Sequence, residues 1–208
     1  MRLILASASP ARLAVLRAAG VQPVVRVSGV DEEALVAAMP DPTPEKLVST
    51  LARAKADAVA AQVAAEHPDG VVVGCDSMLH IGGELVGKPG CPDVALRRWQ
   101  KMAGGTGELL TGHAVVRLRA GIRSAAVSGV ETTVIRFGTP TAQEVEAYVG
   151  TGEPLGVAGG FTMDGLGGWF VDGIDGDPSS VIGISLPLTR RLLAEVGVPV
   201  VSLWSGRL

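Results

Sequence analysis

Short apolar strands alternate with helical patterns along nearly all of this chain, and that alternation restricts it to an α/β fold. The first instance is "LILASASPARLAVLRAAG", residues 3–20. Residues 3–6 read as the end of a buried strand. Ser9 then offers a hydroxyl at an N-cap and Pro10 a ring at the first helical position. Leu13, Leu16 and Ala19 make one apolar stripe, and Gly20 closes the helix. Residues 21–27 are a second strand rich in β-branched side chains. A connection rich in acids and proline leads to a helix from Pro44 to about Glu66, with Leu47, Leu51, Ala54, Ala58 and Ala61 at helical spacing.

Farther on, "VVVGCDSMLHIGGELV" is a strand, a turn at Gly82 and Gly83, and a returning strand. Residues 93–103 form a helix, and two long antiparallel strands turn around Ala120 and Gly121. Thr141 and Glu144 make a capping box for a helix to Val149. The glycine-rich residues 156–177 read as strands and tight loops near a site, because glycine admits close backbone approach. A helix over 188–196 and a short strand complete the pattern. With no repeat and no low-complexity linker, residues 1–208 are expected to form one α/β domain around a mixed sheet.

Composition narrows the function. Net charge is −3, 19% of residues are charged and 3% are aromatic. No basic block and no stacking platform support a nucleic-acid partner. A small anion held by a few placed cations fits this balance. No window approaches the ~20 apolar residues of a membrane span, and the N-terminus lacks the form of a signal peptide. A cytoplasmic protein is expected, with Cys75 and Cys91 as reduced thiols.

Two positions stand out. Arg12 falls in the first turn of the first helix, where the helix dipole disfavours a cation by ~0.3–1 kcal/mol. Ser7, Ser9 and free amides converge with it at a strand end, a common phosphate position in α/β proteins. An anion facing Arg12 explains the placement; a plain Ser-Pro cap beside a solvated arginine is the alternative. Asp76 ends the run "VVVGC" inside an otherwise apolar strand. A carboxylate there requires a cation, a donor or a raised pKa, unless it caps a turn at the strand end. Lys55 and Lys88 are two of only four lysines that could supply the charge.

Other patterns fail on inspection. "GGELVGKP" has P-loop spacing, but Pro89 stands where a serine or threonine is needed. His67, His80 and His113 lack zinc spacing. Asp172, Asp175 and Asp177 lack the closing glutamate of a calcium loop.

In order along the chain come "LASASPAR", "VDE" at 30–32, "LARAKA" around Lys55, "GCDSM", "GKP" at Lys88, "TGHAV" from Thr111, "AGGFTMDGLGG" from Ala158 and "GISLPL" from Gly183. Together they resemble the Maf family of nucleoside triphosphate pyrophosphatases, once named septum-formation inhibitors. The resemblance implies an elongated mixed β-sheet with flanking helices, like that of inosine triphosphate pyrophosphatases, with two lobes around a nucleotide cleft and often a homodimer. It implies hydrolysis of a nucleoside triphosphate between the α- and β-phosphates with Mg²⁺ or Mn²⁺.

Position by position, Asp76 matches the family's catalytic proton acceptor. Ser7, Arg12, Lys55 and Lys88 match its phosphate-binding residues, and Glu32 joins Asp76 near the metal. Ala11, Ser77 and Asp164 fall where the family sets base preference. In the family an Arg/Thr/Gln set accompanies dTTP and UTP, and a Trp/Gln/Glu set accompanies 7-methyl-GTP; this chain has neither. The alternative function is a nucleotide-binding regulator of septum formation with little turnover, which would not need a base at Asp76.

Overall fold

The alternation becomes seven strands and seven α-helices among residues 1–205, the part of the chain that the computed structural model describes. The first half runs β1 (Leu3–Leu5), α1 (Pro10–Ala18), β2 (Val24–Val25), α2 (Glu32–Ala37), α3 (Pro44–Val63), β3 (Val71–Ile81) and β4 (Glu84–Val86). Then follow α4 (Pro92–Met102), β5 (Thr106–Arg119), β6 (Ile122–Phe137), α5 (Ala142–Gly150), β7 (Val171–Asp175), α6 (Pro178–Ile182) and α7 (Leu186–Glu195). The strands form one mixed sheet in the order β2-β1-β3-β5-β6-β7, with β4 paired to β3 off this path. β1 is parallel to β2 and β3, while the β3–β4 and β6–β7 pairs are antiparallel. This is the α/β mixed sheet with flanking helices that the sequence implies.

The chain divides into two units. Unit 1 comprises Met1–Asp76, Thr111–Glu131 and the chain from Gly183 onward; unit 2 comprises Ser77–Leu110 and Thr132–Ile182. Unit 1 is built around β1, which is buried on both faces. Leu3 and Leu5 face a core with Leu16, Val71, Val73, Leu192 and Leu193, and Ile4 faces a second core with Ala52, Ala56, Val59 and Val72. Burial on both faces is why this strand reads as continuously apolar rather than alternating. In unit 2 all three phenylalanines and the one tyrosine gather near Trp99. Its ring meets Phe137, Tyr148 and Phe170 edge-on at 5.6–5.9 Å, and its indole N–H donates to the Gly160 carbonyl at 3.0 Å.

Several boundaries differ from expectation. The second strand keeps only Val24 and Val25, paired with Ile4 and Leu5. Pro23 directly precedes this pair, and Val21 stands in an isolated bridge to Trp204. The acidic connection contains α2, capped by Asp31 with Glu32 and Glu33 in its first turn. The glycine-rich region holds one strand, β7; the rest is three 3₁₀ turns, Glu153–Gly156, Ala158–Gly160 and Leu166–Phe170. The last helix starts two residues early because Ser185 caps it and Pro187 sits in its first turn. The strand expected after it is the 3₁₀ turn Val200–Leu203.

No helix among the described residues is long and apolar enough to cross a membrane. Cys75 is buried and free, and Cys91 is exposed and free.

Candidate active site

Asp76 does not cap a turn. It lies within β3, which continues to Ile81, and it is 7% exposed. Side chains alternate along a strand, so Asp76 shares a face with Val72 and Gly74, the face toward α3. Gly74 has no side chain for a spatial reason. A Cβ there would stand 2.5 Å from the Ala52 carbonyl oxygen and 2.9 Å from the Ala56 nitrogen. The helix therefore lies directly on the strand, and Lys55, between those two alanines in sequence, reaches Asp76. Its Nζ donates to Asp76 Oδ1 at 2.7 Å and pairs with Glu32 Oε1 at 2.9 Å. Glu32 opens α2, and its carboxylate is half exposed.

Arg12 approaches the same strand from the other side of the sequence. Ser9 caps α1 by accepting the Arg12 amide at 3.3 Å, with Pro10 next. The Arg12 side chain turns inward. Nε donates to the Gly183 carbonyl at 2.7 Å, and Nη1 donates to the Cys75 carbonyl at 2.9 Å and to Ser7 Oγ at 3.1 Å. These acceptors offset the dipole cost of a cation in the first turn. Hydrogen bonds and ion pairs thus link Ser7, Arg12, the Cys75–Asp76 backbone, Lys55 and Glu32 within unit 1. Ala11 precedes Arg12 in the first turn and is half-buried.

Burial pushes the Asp76 carboxyl above its ordinary range. The Lys55 charge and hydrogen bond, then the Arg12 charge, pull it back without cancelling the rise, and Glu32 adds to it. Cys75 next to it is pushed up to about 11, chiefly by burial. The second carboxylate oxygen, Oδ2, is buried with no hydrogen-bond partner among the described residues. An orphaned buried carboxylate oxygen is costly and points to a missing cation or proton donor.

No three His, Cys, Asp or Glu side chains among the described residues are placed together to hold a metal ion. Asp76 and Glu32 supply hard oxygen donors, each with one oxygen on Lys55 Nζ. Mg²⁺ is commonly held by one or two carboxylates, with water and substrate phosphates completing its shell.

The remaining sequence candidates lie in unit 2. Ser77 follows Asp76 on β3 and is half-buried. Lys88 is exposed, on a segment pinned where the Gly87 carbonyl accepts Arg98 Nη1 at 2.5 Å and the Gly159 amide at 3.1 Å. Asp164 is exposed in the loop before the third 3₁₀ turn. The residues that sequence reasoning missed are Gly74, for which a glycine inside a strand was the available signal, and Glu153, for which no local signal exists.

The fold is thus a mixed-sheet α/β one whose site sets a buried carboxylate among a lysine, an arginine and a second acid. The chain belongs to the Maf family: the model of the Maf-like proteins matches residues 2–196. A relative from Saccharopolyspora erythraea is 66% identical, covering 98% of this chain and 97% of its own. One from Nocardia farcinica is 61% identical over 97% and 96%, and one from Mycolicibacterium gilvum 53% over 98% and 99%. All three carry the name nucleoside triphosphate pyrophosphatase.

Proposed function

We propose that this chain is a nucleoside triphosphate pyrophosphatase, cleaving between the α- and β-phosphates to release a nucleoside monophosphate and pyrophosphate. The observation that carries the reading is the divided state of Asp76: one oxygen held by Lys55, the other buried and unpartnered. Lys55 fixes the carboxylate's orientation, so Oδ2 is the oxygen left to accept a proton. A carboxylate fixed in this way can serve as a general base toward a water placed within hydrogen-bond reach.

In the step proposed, a water oxygen attacks phosphorus, its proton passes to Asp76 Oδ2, and the bridging P–O bond breaks to release pyrophosphate. Phosphoryl transfer depends mainly on positioning and on neutralising charge. Lys55 and Arg12 place two cations beside Asp76, and Ser7 is fixed with them. Lys88 is proposed as a further phosphate contact. Glu32, beside the Asp76 base, would hold the divalent cation, Mg²⁺ or Mn²⁺, which when bound supplies Lewis-acid polarisation of phosphoryl oxygens. A homodimer, on the strength of the family resemblance, and a cytoplasmic setting complete the reading.

For the base, Ala11, Ser77 and Asp164 are the proposed contacts. An acid at Asp164 accepts but does not donate, which favours the N1–H and 2-amino group of guanine or the 4-amino group of cytosine. Thymine and uracil offer one imino donor between two carbonyls.

The test is a panel of nucleoside triphosphates with Mg²⁺ or Mn²⁺, scored separately for pyrophosphate and orthophosphate. Pyrophosphate release lost in Asp76→Asn supports the reading. Orthophosphate as the product would place cleavage at another bond and overturn it. Tight binding without turnover would favour a regulator instead.

A further inference from the structure

Glu153 opens the first of the 3₁₀ turns in unit 2, and its carboxylate collects both ends of a later loop. Oε1 accepts the Thr162 hydroxyl and the Gly167 amide, the latter at 3.1 Å, and Oε2 accepts the Leu166 amide at 3.1 Å. Thr162 is held a second time, since its amide donates to the Tyr148 hydroxyl at 3.2 Å. Its own Oγ1 accepts the Gly167 amide at 3.2 Å. Residues 162–167 are thereby closed into a ring with Met163, Asp164 and Gly165 at its tip.

The closure is tight at its base. A Cβ on Gly165 would stand 2.8 Å from both Glu153 oxygens, and one on Gly167 would stand 2.5 Å from the Tyr148 hydroxyl. Only an ionised carboxylate offers acceptors on both oxygens and no competing donor. Burial would raise the Glu153 pKa, but the Thr162 hydroxyl and the Leu166 and Gly167 amides outweigh it and hold the group below its ordinary value. Without this anchor a segment containing Gly165, Gly167 and Gly168 has wide backbone freedom. Recognition through a single side chain requires that its support be held to within about 0.5 Å.

We infer that Glu153 is a positioning residue for base selection, setting where Asp164 stands by closing the 162–167 loop. This rests on the reading that Asp164 meets the base. Glu153 touches no substrate; it acts through the loop.

The test compares Glu153→Gln, Thr162→Val and Asp164→Gln with the unaltered protein, and uses Thr162→Ser as the variant that keeps the hydroxyl. Two quantities are read: exchange rates of the Leu166 and Gly167 amides, and the spread of kcat/KM across GTP, CTP, UTP and dTTP. In Glu153→Gln the side-chain amide opposes one of the two backbone N–H groups, so exchange should accelerate about tenfold or more. The spread should narrow by about five- to tenfold, through KM more than kcat. Thr162→Val should follow in the same direction and Thr162→Ser should not; Thr162→Val carries the test if Glu153→Gln does not fold. Unchanged exchange in folded Glu153→Gln overturns the inference. Faster exchange with an unaltered spread, while Asp164→Gln shifts it, also overturns it and leaves the reading of Asp164 standing. If neither variant moves the spread, the reading of Asp164 fails and this inference with it.

Discussion

The Arg12 guanidinium donates to two backbone carbonyls, those of Gly183 and Cys75, and its removal takes that donor from both. Losing such partners costs about 1–3 kcal/mol, more than the ~0.3–1 kcal/mol gained by relieving the helix dipole. Arg12→Ala should therefore lower the urea midpoint of the free protein as well as weaken triphosphate binding; an unchanged midpoint would show that the carbonyls find other donors. At Asp76 the expectation is kinetic. Asp76→Asn should retain the fold by circular dichroism and lose about 10²-fold or more in kcat. Near-normal turnover would remove Asp76 from the mechanism. Both residues were legible in the sequence because each violates a local rule, a cation at a helix start and a carboxylate in an apolar strand. Lys55 was legible as a candidate cation for Asp76, one of only four lysines, but which lysine makes the pair was not, nor were the carbonyls that accept from Arg12. Lys55 is 21 residues from Asp76 and Gly183 is 171 from Arg12, distances that only the folded topology closes.

Among the elements, α3 on β3 is the contact that assembles the site, and Gly74 sets its depth. Gly74→Ala would force a methyl against the Ala52 carbonyl and the Ala56 nitrogen. Overpacking of this kind costs about 1–3 kcal/mol, and pushing the helix outward carries Lys55 away from Asp76. Denaturant melts should show the loss, and activity should fall by more than the unfolded fraction explains. A different sensitivity belongs to the Glu153 loop. The carboxyl of Glu153 is depressed in the fold, so its stabilising effect is full above its ordinary pKa and is lost as pH falls through the lower folded value. Amide signals of Leu166 and Gly167 should stay constant through neutral pH and shift only in acid, below about 4.3. A transition near neutrality would exclude Glu153 as the cause.

Helix starts with a hydroxyl cap and a nearby proline or glutamate were readable, as α1 and α5 show. The glycine-rich stretch was not, because its 3₁₀ turns are held by side chains such as Glu153 rather than by any local period.

For the molecule as a whole, no three-ligand metal cluster is found among the described residues. A divalent cation held by Glu32 and substrate would serve turnover rather than folding. Chelation should then abolish pyrophosphate release and leave the melting temperature of the nucleotide-free protein unchanged, as calorimetry with and without chelator would show. A large drop in melting temperature would instead mean a structural ion. The gathering of aromatic residues around Trp99 has a consequence of its own, for optical spectroscopy. Unit 1 owns a single aromatic side chain, Trp204, half exposed, whereas unit 2 owns buried Trp99 and Trp169, which is 86% exposed. Near-ultraviolet dichroism will therefore report almost wholly on the packing of unit 2. In a Trp99→Phe, Trp169→Phe variant, indole emission becomes a reporter of unit 1 alone, so the melting of that unit can be followed without an added label.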